Sequence, residues 1–157
     1  MQTLVTNQRI LIAHRDETAR KELITAFADI SSMVEVACNG REALIKSVNQ
    51  YEDGVPFHFI CIDHQLPILS GLEVINMLRK YEDDHALARR SFACLLMPDA
   101  SLVRTADCKD AHTIIMESPS NLAKIVRLAQ ACHQGNPNQQ ATKILHRQRL
   151  AAGVLYI

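Results

Sequence analysis

The chain has 157 residues, 48% of them hydrophobic and 22% charged, with 17 Lys and Arg against 17 Asp and Glu. This is the balance of a globular domain of ordinary size, and it excludes a disordered chain or a strong overall field of either sign. No apolar run has the length that crosses a bilayer, and Met1 to Asn7 lacks the basic-then-apolar layout of a signal peptide, so a cytoplasmic protein is expected.

In chain order, Arg9 to Ala13 ends in an unbroken apolar run, as in a strand buried on both faces. Asp16 then caps a helix whose apolar positions Ala19, Leu23, Phe27 and Ile30 recur every three or four residues. Met33 to Ala37 alternates like a strand, and Asn39-Gly40 marks a turn before a helix over Arg41 to Gln50. Phe57 to Ile62 is aromatic and β-branched, a third strand. A helix after Gly71 places Leu72, Ile75 and Leu78 on one side. Phe92 to Met97 and Thr113 to Met116 supply two more strands. The last helix of the domain starts near Pro119, a residue suited to a first helical turn, and uses Leu122, Ile125, Val126 and Ala129. Strands and helices in alternation predict an α/β fold, a parallel sheet with helices on both faces.

The polar stretch 134–140 reads as a linker after a domain over 8–133, and 141–157 as a helical tail with Ile144, Leu145 and Leu155 partly apolar. Past Glu117 there is no acidic residue, while Lys124, Arg127, Lys143, Arg147 and Arg149 are basic. Three roles for the tail stay open: a connection to an output domain, a dimer contact, or a terminal helix that docks or frays. Without interleaved aromatics or a reading motif, nucleic acid is expected only through an output domain outside this chain.

The five cysteines, Cys38, Cys61, Cys94, Cys108 and Cys132, are odd in number and form no Cys-x-x-Cys pair. They read as reduced, mostly buried thiols and not as a disulfide frame or zinc site. In a parallel sheet, chemistry gathers at the carboxyl ends of the strands. Those ends carry His14-Arg15-Asp16, Asp63-His64-Gln65, Met97-Pro98-Asp99 and Glu117-Ser118-Pro119. No glycine-rich phosphate loop follows any strand, and no Ser-His-Asp or Cys-His set is paired across those ends, so a dinucleotide, P-loop or thiol enzyme is not expected. His14, His58 and His64 do not make a metal cluster; His58 reads as a core or edge histidine.

Asp63-His64-Gln65-Leu66-Pro67-Ile68-Leu69-Ser70-Gly71-Leu72-Glu73 resembles the phosphorylation loop of response-regulator receiver domains, the chemotaxis-regulator-like (CheY-like) family. The resemblance runs from about Arg9 to Cys132 and includes the order and lengths of the strand–helix units. It implies a flavodoxin-like, doubly wound five-stranded parallel sheet and puts Asp63 at the phospho-acceptor position. It also implies a protein partner: a histidine kinase, a phosphotransfer protein or an output domain, with a homodimer as a further possibility.

The departures from that family concern the machinery around the acceptor. The acidic pair that closes the first strand and helps hold Mg²⁺ is replaced by His14 and Arg15. The hydroxyl residue of the fourth strand is replaced by Met97, the aromatic switch of the fifth by Ile115, and the lysine before the last proline by Ser118. A guanidinium offers no lone pair and repels a divalent cation, so no resident cofactor is expected. Two placements of Arg15 follow: paired with Asp63 in place of a metal, or turned to solvent with His14 packed locally. Asp16 and Glu17 are the remaining carboxylates; the first could supply a weak metal site with Asp63, the second only if the first strand were shifted by two residues. The function expected is a pseudo-receiver that is not an enzyme and acts by protein–protein contact; the alternative is a regulator phosphorylated on Asp63 with Mg²⁺.

Overall fold

The computed structural model describes residues 6–98, 112–117 and 122–133. Five parallel strands are β1 (Thr6–Ala13), β2 (Ser31–Ala37), β3 (Phe59–Asp63), β4 (Phe92–Met97) and β5 (Thr113–Glu117), in the spatial order β2-β1-β3-β4-β5. Among the described residues the helices are α1 (Glu17–Ala28), α2 (Gly40–Glu52), α3 (Gly71–Asp84) and α4 (Leu122–His133). This is the flavodoxin-like order, and its direction reverses between β1 and β3. The stretch 134–140 and the tail 141–157 lie outside the described residues, as do Ser118, Pro119 and Cys108.

Helices α1, α2 and α3 start where short polar side chains take up free backbone N–H groups. Asp16 accepts from Thr18 N, Asn39 from Glu42 N, and Ser70 forms a reciprocal capping box with Glu73. Their apolar stripes then bury the two faces of the sheet. Leu23 and Phe27 of α1 and Ile125, Leu128 and Ala129 of α4 cover Ile10, Ile12, Phe59, Cys61 and Cys94. Ala43 and Tyr51 of α2 and Val74, Ile75 and Leu78 of α3 cover Leu11, Ile60, Ile62, Leu95 and Met97. Because successive strand residues face opposite layers, β3 and β4 are buried at every position.

Strand limits differ from the sequence reading at polar residues. β1 starts earlier than Arg9 because Gln8, 1% exposed, is satisfied: its Nε2 donates to Ala129 O of α4 at 2.6 Å. β3 starts later than Phe57, because His58 turns its ring back and its Nδ1 accepts the Arg9 N–H at 3.0 Å. β1 ends at Ala13, level with Ala37 and Ile62, so the two-residue shift that would bring Glu17 toward the strand end does not occur.

The amino end of the sheet holds a buried polar network that hydrophobic periodicity does not reveal. Arg79 Nη1 of α3 bonds Glu82 Oε1 at 2.7 Å and Ser91 O at 2.8 Å, and its Nη2 reaches His112 O and Thr113 Oγ1. Tyr51 Oη of α2 donates to Glu82 Oε2 and accepts from Ser91 N at 2.8 Å. Burial, and then the Glu82 carboxylate, push the Tyr51 phenol well above its ordinary ionisation range. Glu82 is 0% exposed, so its charge depends on Arg79. Arg79→Met should therefore lower unfolding stability by about 3–5 kcal/mol in urea titrations, whereas Arg79→Met with Glu82→Leu should recover most of that loss.

Candidate functional site

The registers of β1, β3 and β4 bring their carboxyl ends to one level, with Ala13 beside Ile62 and Asp63 beside Leu96. The side chains that continue past β1 therefore meet the last side chain of β3, at the point where strand order reverses. Asp63 is 5% exposed. Its Oδ1 accepts the backbone N–H of Gln65 at 3.1 Å, an Asx-type turn that bends the chain away from the strand.

The other carboxylate oxygen faces two groups from the β1–α1 loop. His14 Nδ1 lies 3.7 Å from Asp63 Oδ2, and Arg15 Nε 4.0 Å from the same atom. Both distances are longer than hydrogen bonds. His14 Nδ1 also accepts the Asp16 N–H at 3.1 Å. Arg15 is the permanently charged group facing Asp63. Its side chain is 56% exposed, and its Nη2 donates to Gln65 Oε1 at 2.9 Å. Gln65 binds both ends of the arrangement, taking Arg15 on its side chain and giving its N–H to Asp63.

Arg20 on the first turns of α1 holds the loop itself. Its Nη1 donates to His14 O at 2.8 Å and to Arg15 O at 3.1 Å. The two carboxylates nearest in sequence have other work: Asp16 Oδ1 caps α1 through Thr18 N at 3.2 Å, and Glu17 pairs with Lys21 at 3.2 Å. Met97 ends β4 at 2% exposure, and Ile115 packs on the same face from β5. The two positions present only hydrocarbon and sulfur there, with no hydroxyl or phenol to move. Ser118 lies outside the described residues.

The loop from Asp63 to Gly71 is fixed by close backbone approaches. Gly71 N donates to His64 O at 3.0 Å, and a Cβ at Gly71 would stand 2.5 Å from Asp63 O. Only glycine lets α3 begin this close to β3. Gly40 N meets Pro67 O at 3.1 Å, and a Cβ there would strike the Leu69 backbone. Between these anchors Ile68 adopts φ 74° while 71% exposed, a left-handed backbone that β-branched residues rarely take.

Arg20 escaped the sequence reading, and Gln65 and His64 entered it only as strand-end residues without an assigned role. Arg20 looks like an ordinary solvent-facing helix residue, and Gln65 occupies a position with no fixed chemistry. His64 beside Asp63 has a buried Nδ1 without a hydrogen-bond partner. Among the described thiols Cys38 is exposed, and Cys61, Cys94 and Cys132 are buried; the hydrogen bond with Cys61 and burial raise Cys94, and burial pushes Cys132 up to about 12. Among the described residues no helix is long and apolar enough to cross a membrane.

No family model matches the sequence, and no curated protein matches it. Solved structures do match. The receiver domain of the Francisella response regulator 1452 aligns with a TM-score of 0.64 and 18% identity, over 82% of this chain and 98% of that one. The receiver domain of the Saccharomyces cerevisiae response regulator Ssk1, crystallised with the histidine phosphotransfer protein Ypd1, aligns with a TM-score of 0.65 and 22% identity, over 88% and 98%. The receiver domain of the Arabidopsis thaliana histidine kinase CKI1, complexed with Mg²⁺, aligns with a TM-score of 0.63 and 22% identity, over 80% and 94%. The likeness establishes a flavodoxin-like receiver fold.

The site geometry separates a charge contact from a packing constraint. Arg15→Ala, which removes an exposed guanidinium, should change unfolding stability by no more than about 1 kcal/mol. Gly71→Ala, which forces a Cβ against Asp63 O, should lower it by about 1–3 kcal/mol. Urea denaturation of the two variants checks the order.

Proposed function

We propose that this chain is a cytoplasmic, receiver-like signalling module, not an enzyme, that works by protein–protein contact with Mg²⁺-dependent phosphorylation of Asp63 impaired. The observation that carries the reading is the Arg15 guanidinium, 4.0 Å from Asp63 Oδ2 and bonded to Gln65 at 2.9 Å.

Mg²⁺ demands oxygen ligands in near-octahedral order. The donors gathered here do not fit it. Among the described residues Asp63 is the one carboxylate at the centre, and Asp16 is engaged at the α1 N-terminus. His14 Nδ1 is engaged by the Asp16 N–H. Arg15 adds a positive charge where the metal's own would fall. Two like unit charges about 4 Å apart repel by roughly 4 kcal/mol at an effective dielectric of about 20. Solvent around the half-exposed Arg15 reduces that figure, yet the repulsion acts on a doubly charged ion whose acidic ligands are missing. Phosphoryl transfer to a carboxylate brings two anions together and relies on such an ion, so losing it weakens the reaction directly.

What remains for signalling is surface. A receiver fold solved with a phosphotransfer protein, as for Ssk1, supports a protein partner for this chain: a kinase, a phosphotransfer protein or an output domain. A second reading, a regulator phosphorylated on Asp63, is favoured by one observation: the Asp63–Gly71 loop keeps its close backbone approach.

Titration of the full chain with Mg²⁺ and beryllofluoride, followed by backbone amide NMR, separates the two. The proposal expects no saturable shift at Asp63, Gln65 or Gly71 at millimolar Mg²⁺. A saturable set of changes centred on Asp63 would establish the second reading instead.

A further inference from the structure

Helix α2 turns Gly40, Ala43, Ser47 and Tyr51 inward against the sheet and α3. Its opposite side carries Arg41, Ile45, Val48 and Glu52. At 3.6 residues per turn these four fall within about 60° of the helix circumference. Arg41, Ile45 and Glu52 are exposed, Ile45 at 47%, and Val48 is partly exposed. An apolar pair in the middle of an outer stripe, closed at each end by a charge, is the pattern of a helix–helix seam.

The two charges sit against their own helix. The cation stands in the first turn and the carboxylate in the last, opposite to what the macrodipole favours. They are about 16 Å apart along the axis, too far to pair with each other. Neither has an ion-pair partner among the described residues. Glu42 and Lys46, on the β2 side of the same helix, do pair with each other at 3.2 Å.

The stripe is also two-fold in pattern. Arg41 and Glu52 are equally distant from the midpoint between Lys46 and Ser47, and so are Ile45 and Val48. We propose that α2 pairs antiparallel with α2 of a second copy of this chain, about a two-fold axis through that midpoint. Each Arg41 then meets Glu52 of the other copy, and each Ile45 meets Val48. An isologous contact needs a self-complementary patch, and this one is complementary in charge as well as in hydrophobicity. The pairing also brings each cation to the negative end of the facing helix and each carboxylate to its positive end.

Met77 of α3 widens the apolar strip. It lies one turn before Tyr81, whose ring is 5.8 Å from that of Tyr51, so the 48% exposed Met77 borders the stripe level with Val48. In the pair it flanks Ile45 of the other copy. A patch of this size supports weak, concentration-dependent association and not a permanent dimer. The contact uses no group of the Asp63 site, so its test is separate from the test of metal binding there.

Sedimentation equilibrium of the full chain over a concentration series tests the pairing. Arg41→Glu alone and Glu52→Arg alone each put two like-charge pairs into the contact. Each should move the monomer–dimer midpoint about tenfold or more to higher concentration. An equimolar mixture of the two variants should form a heterodimer with a midpoint within about threefold of the unaltered chain's. The homodimer of the exchanged Arg41→Glu/Glu52→Arg chain should do the same. Both positions face solvent, so the circular dichroism spectra should overlay. A chain that stays monomeric at millimolar concentration would overturn the proposal, as would a dimer whose midpoint neither single variant moves. Loss in the single variants without recovery in the mixture would overturn it too, because pairing between residues 41 and 52 would not be the cause.

Discussion

A carboxylate that is 5% exposed at the end of a strand needs compensation for its charge, and the arrangement around Asp63 follows from how this chain supplies it. One oxygen takes the Gln65 backbone N–H. The other faces an imidazole and a guanidinium, both delivered by the two residues that follow β1. Placing them there requires the parallel registers that end β1 and β3 side by side, and the grip of Arg20 on the His14 and Arg15 carbonyls. The cation is covalently part of the protein, so its presence does not depend on a soluble ion.

The two ends of the sheet divide the polar interactions differently. At the amino end Arg79, Glu82, Tyr51 and Ser91 form a closed network in which the central carboxylate sees no solvent. Such a network is costly to break from one side and holds α2, α3 and β4 in a single arrangement. At the carboxyl end the contacts of Asp63 with His14 and Arg15 are longer than hydrogen bonds, and Arg15 is more than half exposed. There Arg15 is the group within reach of another molecule, while Asp63 and His14 are buried. The buried network ties α2, α3 and β4 together, and of Asp63, His14 and Arg15 at the other end only Arg15 faces outward.

Most of the architecture was legible in the sequence because it rests on apolar periodicity. The runs ending at Ala13, Ile62 and Met97 mark strands buried on both faces, and Leu23 with Phe27 marks the inner side of α1. The limits that the sequence misplaced fall where polar side chains find unforeseen partners, as with Gln8 and His58. The buried Arg79–Glu82 pair was invisible for the same reason: charged residues three apart on a helix look like a solvated face until tertiary packing encloses them. In the site, residue types at the strand ends were readable because a parallel sheet collects those ends. The parts played by Gln65 and Arg20 were not, since they depend on how two loops sit against each other. The strained Ile68 was likewise hidden, because nothing in its type announces a left-handed backbone.

In the function proposed above, Arg15, together with the absence of a carboxylate at positions 14 and 15, keeps a divalent ion away from Asp63. The most direct measurement uses Mn²⁺ as a paramagnetic stand-in for Mg²⁺ and records distance-dependent broadening of backbone amides. The chain and its His14→Asp/Arg15→Asp double variant should be compared at equal ion concentration. The account predicts broadening centred on Asp63 and Gln65 in the double variant and none centred there in the unaltered chain. Saturable broadening around Asp63 in the unaltered chain would contradict it.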